Sequence, residues 1–212
     1  MLVSIGGAPF VCHLLQQVAR AGIRRVVMAV GYRAEEVQRV VGRRFDRVEV
    51  EYSVETQPLG TGGAVRLALD MVYGDRFLVL NGDSVVVTDL SRFRAEADHF
   101  GDDCGIVLVR VTDARSFGQV TVDSSGRVRG FSEKPDRAGQ GLVNAGIYSL
   151  PRSLASQIAP DGASSMERDW FPLWAAAGRL RAWTVDAPFL DIGTPERLAT
   201  AEEFFASHGL RT

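Results

Sequence analysis

Helical patterns alternate with short apolar runs of strand length over the first hundred residues of the chain. The strand-length runs are residues 25–30, 48–53 and 77–80, and helical patterns lie between Pro9 and Gly22 and at residues 34–41 and 62–72. Parallel neighbouring strands need a long connection, usually a helix, so this alternation predicts a parallel sheet with crossover helices. Because such a sheet is covered on both faces, its strands are apolar throughout. The pattern therefore predicts an α/β fold of the Rossmann-like, doubly wound type.

A hairpin pattern interrupts this alternation in the second half of the chain. Apolar and polar residues alternate at residues 119–123 and 127–132, on either side of the turn sequence Ser-Ser-Gly. We see no repeat, linker or low-complexity segment, so the prediction is a single domain over residues 1–212. Its sheet is expected to be mostly parallel, flanked by helices, with an antiparallel hairpin insertion. The remaining predicted strands are residues 106–111, 142–150, 180–185 and 189–190, and the remaining helices are residues 90–99, 167–177 and 194–207.

Composition and charge narrow the classes of partner. Hydrophobic residues make up 46% of the 212 residues and charged residues 24%, which is ordinary for a globular protein. The formal net charge of −2 comes without a basic or acidic block, so we expect neither nucleic acid nor a membrane as a partner. The two cysteines, Cys12 and Cys104, and the three histidines are scattered, so we expect no disulfide and no zinc site. No run of transmembrane length and no signal-peptide pattern is present, which makes the cytoplasm the expected location.

An aspartate follows one of the strand-length runs directly. Residues 77–80 stop at Asn81, Gly82 and Asp83. In an open α/β sheet, ligands bind beyond the carboxyl ends of the strands, where a carboxylate can serve a metal or phosphate site. Asn-Gly-Asp is also good turn chemistry, so this stretch alone leaves a site and a turn equally open. The run Phe-Leu-Asp-Ile-Gly-Thr, which contains Asp191, echoes it near the end of the chain.

A glycine-rich loop, Gln-Pro-Leu-Gly-Thr-Gly-Gly-Ala at residues 57–64, runs directly into a predicted helix. Glycines let the backbone approach a ligand closely, and N–H groups at a helix start favour an anion or a polar heterocycle. The loop is neither a phosphate-binding loop of the Gly-Lys-Ser/Thr type nor the dinucleotide fingerprint. We expect a ligand role, because a plain junction between loop and helix would rarely use three glycines.

Three further stretches carry weaker signals. At the end of the hairpin, Lys134 could hold a phosphate and Glu133 could bind hydroxyl groups, but a solvated ion pair would have the same sequence. Asn144 lies beside Gly146 within a predicted strand, where glycine often marks close approach by a ligand or by another backbone. Glu167 lies at a helix start, where the helix dipole favours an acid in any case. Each of these residues, taken singly, is explained without a site.

The order of the stretches along the chain is more specific than any one of them. In order, they are Gln-x-x-Gly-Thr-Gly-Gly-Ala, Leu-Asn-Gly-Asp, Phe-Gly-Gln-Val, Glu-Lys-Pro, Val-Asn-Ala-Gly-Ile-Tyr, Ser-Met-Glu-Arg-Asp and Phe-Leu-Asp-Ile-Gly-Thr-Pro-Glu. This ordered set of motifs resembles the sugar-1-phosphate nucleotidyltransferases, and the resemblance runs from about Met1 to the last helix. Within that family the chain is most similar to the heptose-1-phosphate and mannose-1-phosphate guanylyltransferases.

The resemblance implies a reaction and a set of site residues. A sugar 1-phosphate would be joined to the α-phosphorus of a nucleoside triphosphate, GTP by likeness, with release of pyrophosphate and with Mg²⁺ held by Asp83 and Asp191. Lys134 would hold the attacking phosphate and so take part in catalysis. The oligomeric state stays open, a homo-oligomer included. The residues implied for the nucleotide are Gln57, Gly60, Thr61 and Gly62, and those for the sugar phosphate are Gly118, Glu133, Lys134, Asn144 and Glu167.

The sequence departs from the family at its start. Family members open with a buried strand, a Gly-Gly-x-Gly-Thr-Arg loop and a Pro-Lys pair, whereas Met1 and its neighbours match the segment directly after that pair. The resemblance implies that the absent loop cradles the triphosphate and that the absent strand is central in the sheet. We therefore expect unpaired strand edges and a reduced rate.

Three explanations compete for this departure: a misassigned start or a trimmed chain, which we favour, a degenerate paralogue, and a sheet that another chain completes. A paralogue of this kind would bind a nucleotide sugar or regulate an active partner without catalysing the transfer. A glycosyltransferase is a more distant alternative, because it would need an Asp-x-Asp motif after an apolar strand, and Asp83 is followed by Ser84 and Val85.

Overall fold

The computed structural model describes residues 1–115, 117–132 and 139–210. The strands are β1 (Ser4–Ile5), β2 (Ala8–Pro9), β3 (Arg25–Val30), β4 (Arg44–Phe45), β5 (Val48–Val54), β6 (Arg76–Leu80), β7 (Ser84–Val86), β8 (Cys104–Val111), β9 (Gln119–Val122), β10 (Val128–Ser132), β11 (Gly141–Pro151), β12 (Leu180–Val185) and β13 (Phe189–Asp191). The helices are α1 (Phe10–Arg20), α2 (Ala34–Val41), α3 (Gly60–Ala68), α4 (Leu90–Ala97), α5 (Arg152–Ala155), α6 (Phe171–Ala176), α7 (Pro195–Ala199) and α8 (Ala201–Ser207). Short 3-10 turns at Leu69–Met71 and Asp98–Phe100 extend α3 and α4, and a π-helical turn, Met166–Trp170, precedes α6.

The predicted strands are all present, with ends that differ by at most two residues. The helix predicted at residues 62–72 begins earlier, at Gly60, so the glycine-rich loop forms its first turn. The single helix predicted at residues 194–207 is wrong, because α7 and α8 are separated at Thr200. The Thr200 hydroxyl donates to the Arg197 carbonyl at 2.8 Å, a local bond that competes with continuation of the helix. The sequence pattern also missed β1, β2, β4, β7 and α5.

The largest sheet contains more antiparallel pairing than the sequence pattern predicts. Its strand order is β10-β9-β11-β8-β12, and β6 pairs with the second half of β11. The long strand β11 is antiparallel to β6, β8 and β9, whereas β12 is parallel to β8. A bulge divides β11, because its register with β8 shifts between Asn144 and Tyr148. Along one edge of β11, the part that precedes the bulge pairs with β9 and the part that follows the bulge pairs with β6.

The remaining parallel pair lies in a separate, three-stranded sheet of order β3-β5-β4. No backbone pairing joins β3 to β6 in the described ranges. An open cleft of about 740 Å³ lies between these two strands, and apolar residues of α1 and α3 line it from either side. Among the described residues, neither β3 nor β6 has a partner strand on the edge toward the cleft, as the resemblance led us to expect for the centre of the sheet.

Both faces of the large sheet are covered. Along β8, Ile106 and Leu108 belong to the core formed with α6, whereas Val107 and Val109 belong to the core formed with α4. This alternation places the two helices on opposite faces. Within the described ranges, no helix combines the length and the apolar character needed to cross a lipid bilayer.

Candidate active site

The strand pair β7 and β13 brings Asp83 and Asp191 together. Asp83 directly precedes β7, Asp191 ends β13, and the antiparallel register places Asp191 opposite Ser84. The Ile192 N–H donates to the Asp83 carbonyl at 2.8 Å. A Cβ built on Gly193 would lie 2.9 Å from Asp191 Oδ1 and 3.6 Å from Asp83 Oδ2. The two carboxylates therefore converge on one small volume, which only the absence of a side chain at residue 193 leaves free.

The two carboxylates differ in how their charge is balanced. Asp191 Oδ2 lies 2.9 Å from Arg197 Nη1, and Asp191 Oδ1 accepts the Gly193 N–H at 2.7 Å. The guanidinium of Arg197 is also held over the Phe117 ring, 4.3 Å from its centroid. The pKa of Asp83 is raised above its ordinary value, first by partial burial and then by the negative charge of Asp191. A cation between the two acids would offset both effects.

This donor set fits magnesium. Among the described residues, no group of three or more His, Cys, Asp and Glu side chains could hold a metal ion, so a closed structural site is not formed there. Mg²⁺ keeps several of its waters and is usually bound through one or two carboxylates together with substrate phosphates. The pair Asp83 and Asp191 supplies that number of carboxylates. Asp83 also lines the cleft between β3 and β6.

The glycines of the glycine-rich loop are required by the protein's own packing. Gly60 has φ +70°, and a Cβ there would lie 2.5 Å from the Ser164 carbonyl oxygen. A Cβ on Gly62 would lie 2.5 Å from Ser164 Oγ. The N–H groups of Gly62 and Gly63 both donate to the Ser164 carbonyl, at 2.8 and 3.4 Å. We expected helix-start amides to be available to a ligand, but these two are already used within the protein.

The part of the loop that faces outward is formed by other residues. Gln57, Gly60 and Thr61 are exposed, whereas Gly62 is buried. Thr61 also lines the cleft that Asp83 lines. A ligand at this loop would therefore meet the exposed side chains and the Gly60 backbone rather than the buried Gly62.

The Glu167 carboxylate connects the glycine-rich loop to Tyr148 of β11 through hydrogen bonds. Glu167 Oε2 accepts the Thr61 hydroxyl at 2.8 Å and the Ser165 hydroxyl at 3.0 Å. Glu167 Oε1 accepts the Tyr148 hydroxyl at 3.2 Å. Thr61 Oγ1 in turn accepts the Met166 N–H at 2.8 Å. Glu167, which the motifs place on the sugar-phosphate side, therefore also contacts the candidate nucleotide side.

The bulge of β11 positions Asn144. Asn144 Nδ2 donates to the Tyr148 hydroxyl at 2.9 Å, and Asn144 Oδ1 accepts the Gly146 N–H at 2.9 Å. Gly146 has φ +74°, and a Cβ there would lie 2.5 Å from Ser84 Oγ. Its carbonyl accepts the Asn81 N–H at 2.7 Å. The close approach predicted at this glycine is therefore an approach of β11 to the segment that carries Asp83.

Gly118, another of the predicted residues, lies at the open end of the hairpin. Gly118 is exposed, and Gln119, the next residue, pairs with Ser132. Phe117, which precedes Gly118, contacts Phe189 with ring centroids 5.6 Å apart, so the hairpin end adjoins the strand that carries Asp191. The predicted residues Glu133 and Lys134 lie outside the described residues.

Sequence reasoning missed two polar contributors to this geometry, Tyr148 and Arg197. Tyr148 lies within the Val-Asn-Ala-Gly-Ile-Tyr motif, but the sequence analysis assigned it no role. Arg197 lies in the first turn of α7, and its contact with Asp191 is visible only in the folded structure.

Comparison with known proteins identifies the family. The family described as Nucleotidyl transferase matches residues 1–208. The chain therefore belongs to the nucleotidyl transferase family, as the ordered motifs indicated.

Within this family, the chain is similar to several guanylyltransferases. The chain is 33% identical over 198 residues to the mannose-1-phosphate guanylyltransferase of Mycobacterium tuberculosis, a match that covers 92% of this chain and 55% of that protein. It is 32% identical over 195 residues to the D-glycero-alpha-D-manno-heptose 1-phosphate guanylyltransferase of Campylobacter jejuni, a match that covers 92% of this chain and 85% of that protein. The chain thus spans about half the length of the mannose-1-phosphate relatives and most of the heptose one.

Solved structures confirm the predicted α/β fold class. HddC from Yersinia pseudotuberculosis, complexed with GMP-PN, superposes with a TM-score of 0.85 at 30% identity and covers 96% of this chain and 88% of that one. A putative glucose-1-phosphate thymidylyltransferase from Bacillus anthracis superposes with a TM-score of 0.83 at 22% identity, which is a likeness of fold alone.

Proposed function

We propose that the protein transfers a guanylyl group from GTP to a mannose- or heptose-type sugar 1-phosphate, giving a nucleoside-diphosphate sugar and pyrophosphate. The observation that carries this proposal is the convergence of Asp83 and Asp191 beside a cleft that Thr61 also lines. The names of the Mycobacterium and Campylobacter relatives, both guanylyltransferases of manno-configured sugar 1-phosphates, support the choice of base and sugar.

Nucleotidyl transfer requires the protein mainly to position two anionic substrates and to neutralise charge. Asp83 and Asp191 are the residues that would hold Mg²⁺, whose chemistry when bound is to neutralise the triphosphate and to polarise its phosphoryl oxygens. Arg197 fixes the orientation of Asp191 through their ion pair. Gly193 keeps the space between the two acids free.

The substrates are assigned to opposite sides of Glu167. On the nucleotide side we place Gln57, Gly60 and Thr61 in contact with the base and ribose, with Gly62 supporting them from the buried side of the loop. The sugar phosphate is assigned to the side of Asn144, where the β11 bulge approaches the segment before β7. The other residues that we assign to it are Gly118, Glu133, Lys134 and Glu167, with Lys134 as the residue that holds the attacking phosphate.

We assign these residues to one domain because α1 links three of the cores. Val18 packs in the core of the large sheet, Val11 and Leu15 pack against the small sheet, and Phe10 and Leu14 pack in the core with Val85 of β7 and Leu190 of β13. A single helix thus ties both sheets to the strand pair that presents the two acids.

The test is a substrate screen. The purified protein is incubated with Mg²⁺, one of several nucleoside triphosphates and one of several sugar 1-phosphates, and pyrophosphate release is followed. We expect turnover with GTP and a mannose- or heptose-type sugar 1-phosphate. The absence of pyrophosphate release for every pair would overturn the proposal.

A matched pair of variants links the activity to the proposed site. Asp191→Asn removes one carboxylate charge from the acidic pair, and we expect it to lower turnover sharply. Asp186→Asn is the control, because Asp186 is an exposed acid whose partner is Arg110, on the neighbouring strand. Equal turnover in the two variants would contradict the placement of the site at Asp191.

A further inference from the structure

The hydroxyl group of Tyr148 lies inside the protein core. The residue is only 1% exposed. Its hydroxyl accepts from Asn144 Nδ2 and donates to Glu167 Oε1. Burial and then the charge of Glu167 raise the pKa of Tyr148 well above its ordinary value, so the phenol keeps its proton and acts as a donor to the carboxylate. The Asn81 side chain also interacts with this hydroxyl and favours the ionised form, so three polar side chains surround it. Since a buried hydroxyl without partners is costly, these partners determine where it points.

The ring of Tyr148 is held in place by the element that carries Glu167. Its centroid lies 4.7 Å from that of Phe171, with the two planes tilted by 56°. Phe171 is fully buried and starts α6, directly after the π-helical turn that contains Glu167. The packing fixes the position of the ring relative to Glu167, and the hydrogen-bond partners of the hydroxyl set the direction of its O–H bond.

The two oxygens of Glu167 point to different parts of the site. Oε1 receives the Tyr148 hydroxyl, and through it the carboxylate is connected to Asn144 on β11. Oε2 receives the hydroxyls of Thr61 and Ser165. A rotation of the carboxylate would disturb both sets of bonds at once. Hydrogen bonds thus run without interruption from the bulge of β11 to the first turn of α3.

We propose that Tyr148 is a positioning residue that couples the two substrate sides, so that a ligand held at Asn144 strengthens binding of a ligand at Thr61, and the reverse. This inference rests on the proposed function for the identity of the two ligands. A ligand that restrains the Asn144 side chain also restrains the Tyr148 hydroxyl, to which Asn144 donates, and through that hydroxyl the Glu167 carboxylate. The Thr61 side chain is then already oriented when the second ligand arrives. Less freedom is lost in the second binding step, and by thermodynamic linkage the effect is equal in both directions.

The test is a measurement of coupling. Calorimetry gives the affinity for a non-hydrolysable GTP analogue in the presence of Mg²⁺, with and without saturating mannose 1-phosphate. For the wild-type protein we expect the sugar phosphate to increase that affinity at least about five-fold. Tyr148→Phe keeps the ring but removes the hydroxyl and its hydrogen bonds to Asn144 and Glu167. In this variant we expect the sugar phosphate to leave the affinity for the GTP analogue unchanged, so that the ratio of the two affinities is about one.

A matched control separates coupling from general damage. Ser149→Ala removes another fully buried hydroxyl from β11, one that accepts from Arg76 Nη1 at 3.0 Å and lies outside this network. We expect Ser149→Ala to keep the wild-type coupling. If Tyr148 had only a structural role, Tyr148→Phe would weaken both affinities and leave their ratio unchanged.

A double-mutant cycle tests the route through Glu167. Thr61→Val removes the other hydroxyl partner, and in that background Tyr148→Phe should cause no further loss of coupling. Unchanged coupling in Tyr148→Phe, with pyrophosphate release intact in the wild type, would overturn this inference and leave the proposed function standing. Failure of the wild type to bind either ligand would overturn both.

Discussion

The acidic pair Asp83 and Asp191 and the single acid Glu167 show two ways in which one protein uses a carboxylate. The pair is brought together by two short strands, and the two charges oppose each other, which contributes to the raised pKa of Asp83. Glu167 has both oxygens engaged by hydroxyl donors from three other residues. In our proposal the pair receives a cation, whereas Glu167 holds neighbouring elements in position.

The difference shows that an acid in a candidate site is better judged by what already contacts it than by its motif. Taken singly, the stretches around Asp83 and Glu167 each show an acid at the end or the start of a predicted element, and each has an explanation without a site. The contacts separate them, because like charges placed together store a cost that a metal relieves, whereas a carboxylate that accepts several hydrogen bonds is already stabilised. Variants that alter either the acidic pair or Glu167, but not both, test whether the two really differ in this way.

The largest effect is expected from Gly193→Ala. The added Cβ would lie 2.9 Å from Asp191 Oδ1 and 3.6 Å from Asp83 Oδ2, so it occupies the space where the two carboxylates converge. We expect the rate of pyrophosphate release to fall about 10²-fold, because displacement of a site by about 1 Å has an effect of that size. The control is Gly130→Ala, where the nearest atom to the new Cβ is Thr121 Oγ1 at 3.6 Å, an ordinary contact. Equal rates in the two variants would remove the basis for a metal between the acids.

A smaller effect, on stability, is expected from Glu167→Gln. An amide group offers one acceptor oxygen where the carboxylate offers two, so at least one of the donors Tyr148, Thr61 and Ser165 loses its partner. We expect the free energy of unfolding to fall by about 1–2 kcal/mol in denaturant titrations. A stability equal to that of the wild type would show that Glu167 does not hold its neighbours in position.

The smallest effect is expected from Asp83→Asn, and its sign is opposite. The folded state binds the Asp83 proton more tightly than the unfolded state, so this residue lowers stability as the pH rises above the ordinary carboxyl pKa of 3.8. Without metal, at pH 7, the variant should therefore have a higher Tm than the wild type, by no more than about 2 °C because the residue is partly exposed. The difference should vanish at pH 3, where Asp83 is protonated in both states. A lower Tm at pH 7 would contradict the repulsion between the two acids.

The sequence predicted the longer strands well because each has a local pattern of apolar residues, but it missed β1, β2, β4 and β7, which are two or three residues long. The site was predicted in part, since the order of the motifs indicated Asp83 and Asp191 as a pair, and the two do converge. The connections between distant residues were not predictable, because they depend on packing. The bond from Thr61 to Glu167 spans 106 positions in the chain, and the three-residue pairing of β7 with β13 leaves no periodic signal. The glycines at residues 60 and 62 had a recognisable pattern, but its cause is contact with Ser164, which no local pattern reveals.

The most direct test of the central claim, a magnesium site between Asp83 and Asp191, is the effect of Mg²⁺ on nucleotide affinity. Calorimetry with a non-hydrolysable GTP analogue, with and without Mg²⁺, should show about a tenfold or greater increase in affinity for the wild-type protein, equivalent to about 1.4 kcal/mol. In Asp83→Asn and in Asp191→Asn the metal-free affinity should persist while this increase is lost. If both variants kept the full increase with Mg²⁺, the metal would be bound elsewhere and the claim would be wrong.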